Sequence, residues 1–249
     1  MGRYSSSYSE FCTALKEVNR IYLLSKKMER ELEKSKRVRS YKSPFGDKSL
    51  LTENMNALCR AAAVLLSGHI EGYVKSLLDI ICFNVITQDV DGEEYSEETE
   101  FHAIEDLFDG LRKTRDAVKI VRKLGIISQR LALIREPSAG STQGLEPKAF
   151  LKGFSAPYPE NIYSVFRKFG FTSLRGDMGR VLQGDFAIIE PSVRTLVEFR
   201  NDIAHGDLSR TLLPSEVGLH LQHAQKFVRT LDDCLCHWFN SKGCGLRMR

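Results

Sequence analysis

The chain is 249 residues long, 42% hydrophobic and 27% charged, with a formal net charge of +4. Those values exclude collagen-like, disordered and disulfide-scaffold classes, and a globule of this length buries roughly 70% or more of its unfolded surface without covalent staples. No apolar run reaches the roughly 18 residues that cross a bilayer, because the longest, 61–85, is interrupted by His69, Glu71, Lys75 and Asp79.

In chain order, Phe11, Leu15, Val18, Tyr22 and Leu23 recur at helical spacing. They predict a helix from about Ser7 to Lys36 that leaves the core past Leu23, where charge takes over. Pro44 and Gly46 break it. Thr52 is placed to cap a second helix, with Glu53 in its first turn. Met55, Leu58, Ala62, Leu65, Leu66, Tyr73, Leu77, Ile80 and Ile81 keep its period, which makes this the central element. Gly68 and Gly72 share one face of it and predict a close approach by another element. An acidic loop over 89–100 leads to a weaker helix ending near Leu124, and 136–153 forms a Gly/Pro-rich connection. Pro159 predicts the start of a short helix through Phe169. Phe186 to Ile189 reads as a brief extended piece. Pro191 fits the first turn of the next helix, and Gly206 fits just past its end. Pro214 opens the last helix, where Val217, Leu221, Ala224, Val228, Leu231, Leu235 and Trp238 alternate steps of four and three as a core seam. No alternating strand of useful length appears. The expected fold is all-α: one domain over 1–249, a bundle of long helices with a loop-rich insertion.

Charge is segregated along this framework. Lys26 to Lys48 holds nine basic residues against four acidic ones, and Asp89 to Asp109 holds ten acidic residues and no basic one. Arg112 to Arg135 holds eight basic residues opposed by Asp116 alone. The basic runs suit a polyanion such as RNA, with Lys34, Lys36, Arg37 and Arg39 as candidate phosphate contacts; the competing reading is solvated helix faces. The six cysteines at 12, 59, 82, 234, 236 and 244 form no CxxC pair. They read as reduced thiols, and with no signal-peptide core at the N-terminus the expected location is cytoplasmic.

The most informative segment is Arg200-Asn201-Asp202-Ile203-Ala204-His205-Gly206. Asn201 and His205 lie four apart and share a helix face, with Arg200 one position round. Imidazole moves protons near neutral pH. Guanidinium grips phosphate at two points and stabilises developing charge. Together these parts suffice for metal-free RNA cleavage, in which the 2′-hydroxyl is the nucleophile. Bare Arg-to-His spacing of this kind arises about once by chance in a chain so rich in arginine. The alternative is that Arg200 and His205 complement the negative end of the helix dipole.

The segment Arg200 to Gly206 resembles the signature of the HEPN superfamily: arginine, a polar residue, a short spacer and histidine. The stretch AAAVLLSGHIEGYVKSLLDIIC, residues 61–82, is similar to the early long helix of one prokaryotic branch of that superfamily. The resemblance implies an α-helical domain that dimerises so that two Arg/His motifs meet in a cleft. It also implies a metal-independent endoribonuclease of a toxin–antitoxin or phage-defence system, with a cognate antitoxin or defence protein as partner. Some members only bind.

Glu71 lies on a semi-apolar face of the long helix, where an unpaired carboxylate is costly. Arg200 and Lys75 are both candidate partners, and the former would make Glu71 a positioning group of the catalytic set Arg200, Asn201, His205. His69 reads as a core histidine or as a cleft residue. His220 and His223 with Asp232 or Asp233 lack a third converging ligand, so no metal is expected; no cofactor motif occurs. The leading expectation is an RNA-cleaving homodimer that needs neither metal nor cofactor and does not enter a membrane. The alternative is a non-catalytic helical dimer acting as an antitoxin-like or regulatory module. An enzyme should expose Arg200 and His205, whereas a scaffold should bury them against its own carboxylates.

Overall fold

A computed structural model describes residues 4–38, 42–87, 97–135, 146–207 and 209–242. These form nine α-helices and no strand, so the all-α expectation holds among the described residues. The N-terminal helix α1, Ser6–Arg37, starts at Ser5, whose extended backbone lets Oγ accept the Tyr8 amide at 3.1 Å. Its partner α2, Lys48–Thr87, is capped by Asp47, which accepts the Leu50 amide at 2.9 Å. Thr52, expected as that cap, lies one turn into the helix and returns its hydroxyl to the Lys48 carbonyl. An aspartate one position before the helix outcompetes a threonine four positions in.

Helices α1 and α2 pack antiparallel, with Phe11 edge-on to Tyr73 at 5.9 Å. The last helix, α9, Pro214–Ser241, and the one before it, α8, Phe186–Ala204, complete the central group. Phe199, Phe227, Leu66, Ile70 and Leu77 are fully buried there. The charged half of α1 leaves this core as expected but is not solvated all round. Met28 and Leu32 meet Leu51 and Met55 of α2 in a satellite cluster.

Two prolines and a glycine set the bounds of α8 and α9. Pro214 opens α9, and Gly206, at φ +87°, follows α8, both as expected. Pro191 does not open α8, which begins five residues earlier and absorbs Phe186 to Ile189 as helix rather than as an extended piece. The missing Pro191 amide falls on the exposed face, where water can satisfy the Ala187 carbonyl it would have met.

The middle of the chain differs more. The acidic stretch already turns helical at Glu97, where α3, Glu97–Arg112, begins; 89–96 lie outside the described residues. The weaker helix is two helices: Asp116 ends the break and caps α4, Ala117–Arg135, by accepting the Val118 and Lys119 amides. Of the Gly/Pro-rich connection, 136–145 lie outside the described residues, but its second half is core. The single turn α5, Pro147–Phe150, buries Phe150 completely and stacks it on Phe169 at 4.1 Å. Helix α6 spans Pro159–Arg167 and α7 spans Leu174–Leu182, followed by a 3-10 turn. Antiparallel to α8, α6 is joined to it by Arg194–Glu160 at 2.6 Å and by Tyr163 Oη donating to Glu190 at 3.0 Å. Arg175 of α7 forks onto both oxygens of Glu190 at 3.0 and 2.9 Å. Burial raises the Glu190 pKa, but the Arg175 and Tyr163 hydrogen bonds outweigh it and hold the carboxyl below its usual range.

The expected close approach at Gly68 and Gly72 is absent: a methyl group at either position meets nothing within 4 Å. It occurs instead at Gly218, where a Cβ would stand 2.9 Å from the Tyr22 ring. We therefore expect Gly68→Ala or Gly72→Ala to raise the urea midpoint, by up to about 1 kcal/mol of stability, and Gly218→Ala to lower it by about 1–3 kcal/mol. Equal effects at Gly68 and Gly218 would contradict the packing.

Candidate functional site

The motif is built on the C-terminal end of α8. Asn201 accepts the His205 amide through its carbonyl at 2.9 Å, Ile203 accepts Gly206 at 3.0 Å, and Asp202 accepts Asp207 at 2.9 Å. This nested pair of bonds beyond the last turn needs the left-handed backbone that Gly206 supplies. His205 is thereby held as the C-cap with its side chain exposed. No other described side chain hydrogen-bonds its imidazole, which leaves both ring nitrogens open to a ligand.

Arg200 is half-buried, and its Nη1 donates to Asn201 Oδ1 at 3.0 Å. The Asn201 amide Nδ2 in turn donates to Tyr158 Oη at 3.0 Å. Asp202, between the two motif residues, is occupied by Arg210 at 2.7 Å, and the Arg210 guanidinium also lies over the Phe199 ring. Past the cap, the Ser209 hydroxyl and amide hold the Asp207 carboxyl below its usual range. The loop beyond the motif is thus fastened by its own charges, and Arg200 is left with a neutral amide rather than a carboxylate.

Glu71 is not part of this arrangement. It pairs with Lys75 one turn on, at 2.5 Å. Its near neighbour Tyr73 donates to Asp232, late in α9, whereas Arg200 stands beyond the start of α9, several helical turns away. The group that engages Arg200 is its neighbour Asn201. His69 also faces elsewhere, with Nε2 3.7 Å from Glu17 of α1, too long for a hydrogen bond. His220 shares a 3.0 Å hydrogen bond with Ser192 Oγ. Among the described residues no three metal-binding side chains converge.

Tyr22 contacts Gly218, and Ser5 at the start of α1 meets Asp232, so α1 runs antiparallel to α9. Ser192 faces His220 and Asp185 faces Lys226, so α8 does too. The last turns of α1 and of α8 therefore reach the same end of the bundle. That places Lys34, Lys36 and Arg37 at the end that carries His205. Lys34 and Lys36 are each bound to a carboxylate of their own helix, Glu31 and Glu33, at 2.8 Å. Arg39 lies outside the described residues. Of the second basic segment, α4 is exposed along most of its length, including Lys119 and Arg122, and packs mainly on α3.

His205 and its neighbours Ala204, Gly206 and Asp207 are all exposed. A cleft of about 400 Å³ lined by Phe171, Asp177, Asp233, His237 and Trp238 belongs to the far end of α9. Sequence reasoning missed Tyr158. The signal available was its position between Pro157 and Pro159, which fixes the backbone on both sides.

A family model described as RiboL-PSP-HEPN matches residues 29–237. No curated protein and no solved structure matches the chain. The matched span includes Arg200, Asn201 and His205. No helix among the described residues is long and apolar enough to cross a membrane.

Proposed function

The chain belongs to the RiboL-PSP-HEPN family, and from that membership and the geometry of its motif we propose that it is a metal-independent endoribonuclease. HEPN domains typically act on RNA and dimerise. The observation that carries the reading is the exposure of His205 beside an Arg200 whose hydrogen-bond partner is a neutral amide. A structural pair would be buried against carboxylates. The exposed imidazole and the half-buried arginine beside it are positioned to receive an anion, and phosphate fits that demand.

In the reaction, the RNA 2′-hydroxyl attacks the adjacent phosphorus and the bond to O5′ breaks. His205 takes the 2′-hydroxyl proton or delivers one to the leaving O5′, and Arg200 holds the non-bridging oxygens as charge builds. One histidine on an exposed helix end supplies one of the two proton steps. A second copy, with its own motif placed opposite, supplies the other and turns two helix ends into a cleft. The setting we favour is a toxin or phage-defence effector acting in the cytoplasm, held in check by a cognate antitoxin or defence protein. The test is cleavage of single-stranded RNA by the purified chain and its loss in His205→Ala; an unimpaired variant overturns the reading.

We place the RNA backbone along the end of α1. Exposed pairs such as Lys36–Glu33 are screened by solvent and weak, so phosphate can displace the carboxylate. Converting Lys34, Lys36, Arg37 and Arg39 together to glutamine should weaken RNA binding and flatten the dependence of log affinity on log salt, because fewer counterions are released. Fluorescence anisotropy with a non-cleavable 2′-O-methyl RNA measures both. An unchanged slope would move the RNA elsewhere, with exposed α4 as the next surface.

A further inference from the structure

The side chains leave one consistent assignment of the hydrogen bonds behind Arg200. A guanidinium can only donate, so the Asn201 atom that faces it must be the carbonyl oxygen. The amide nitrogen then faces Tyr158, and the phenol oxygen accepts from it. The donor-only guanidinium thus decides which way the Asn201 amide points, and Tyr158 Oη, by accepting from its nitrogen, anchors the amide in that orientation from the other side. Were the amide to rotate half a turn, it would present its NH₂ group to the guanidinium, a donor against a donor.

Tyr158 is itself firmly placed. Its backbone is extended at φ −60° and ψ 141°, and the prolines on either side favour that conformation. Pro159 begins α6, and α6 is fastened to α8 at two further points, Glu160 to Arg194 and Tyr163 to Glu190. The contact with Asn201 is the third rung of that ladder, and it falls on the motif.

We propose that Tyr158 is a positioning residue of the ribonuclease site: it fixes the Asn201 amide, and through it the Arg200 guanidinium, so that α6 braces the motif helix. This rests on the ribonuclease reading of Arg200 and His205. It gives a task to a part of the chain, between the two long helical hairpins, whose role was not apparent from its sequence. The guanidinium is held in place before substrate arrives, and such preorganisation is what an electrostatic clamp requires.

Two measurements test it on the full chain. The first is a cycle of Tyr158→Phe, Asn201→Ala and the double variant on one RNA substrate. Tyr158→Phe should lower kcat about 10-fold with little change in KM. In the Asn201→Ala background the same substitution should cost nothing further, because the effect travels through the amide. The second is exchange of the Asn201 side-chain amide protons in isotope-labelled protein, slow in the wild type and as fast as a free carboxamide in Tyr158→Phe. An equal kcat loss in both backgrounds would overturn the proposal, as would unchanged exchange in Tyr158→Phe. A wild-type chain that cleaves no RNA sinks the ribonuclease reading, whereas unchanged exchange sinks the positioning role alone.

Discussion

His205→Ala and Arg200→Ala should each lower the rate of the proposed RNA cleavage by about 10²–10⁴-fold, the usual contribution of a positioned general acid–base and of an electrostatic clamp. Both variants should keep the fold. His205 is exposed at a helix end, and the core contact of that turn is made by Phe199, which is buried. Arg200 is half-buried and bonded to Asn201, so its loss removes one hydrogen bond and leaves no stranded charge. Rate constants on a defined oligonucleotide, read beside thermal unfolding curves, separate the two effects. A rate loss that only follows a lower Tm would return the motif to a structural role. Asn201→Ala should fall between wild type and Arg200→Ala, since it frees the guanidinium without removing it.

The largest expected loss of stability is at Asp232. This carboxylate is fully buried and accepts from the Ser5 amide and hydroxyl, from Tyr73 Oη at 2.9 Å and from the Cys236 thiol. It ties the start of α1 and the middle of α2 to α9. Asp232→Ala strands the Ser5 and Tyr73 donors in an apolar interior, at a cost of about 2–5 kcal/mol. For a chain of this size that lowers Tm by roughly 5–15 °C. Burial pushes the Asp232 carboxyl up, and the Ser5, Tyr73 and Cys236 hydrogen bonds pull it only part of the way back. A carboxyl raised in this way holds its proton more tightly folded than unfolded. Its contribution is therefore complete below the unfolded value and is lost as pH rises through the folded one. Against Asp232→Asn, which does not titrate, the wild type should gain relative stability as pH falls from 7 to 4, measured by urea midpoints. A gap that widens in the opposite direction would refute the assignment.

Much of the fold can be read from periodicity because the helices that matter are long. α2 and α9 repeat their apolar positions over many turns, and Pro214 and Gly206 mark ends that backbone geometry enforces. Errors gathered where a residue type has two physical uses. Pro191 reads as a helix start, yet an exposed proline is tolerated one turn inside, where water replaces the lost donor. Gly68 and Gly72 read as packing glycines but face open space, while Gly218, which does pack, lies inside an apolar seam that conceals it. Thr52 competed with Asp47, and the residue nearer the helix start took the cap.

The candidate site divides in the same way. Arg200, Asn201 and His205 were legible because their relation is local: one helix end fixes all three. Glu71 kept two candidate partners because its alternatives, a neighbour four residues on or an arginine far along the chain, differ only in tertiary arrangement. The structure gives it the neighbour, Lys75. The pairing of Tyr158 with the motif was hidden for the complementary reason. Its partner Asn201 is 43 residues away, and nothing in either local pattern announces the other.

The most direct test is the chemistry of the ends left on cleaved RNA. The purified chain is incubated in EDTA with an end-labelled oligonucleotide, and the products are resolved beside those of a substrate carrying a single 2′-deoxy residue at the cleaved position. Attack by the internal 2′-hydroxyl gives a 2′,3′-cyclic phosphate on one fragment and a 5′-hydroxyl on the other, persists in EDTA, and stops at the deoxy position. Those are the results we expect. Fragments that end in a 5′-phosphate and a 3′-hydroxyl, or cleavage that continues through the 2′-deoxy position, would contradict metal-independent cleavage by Arg200 and His205.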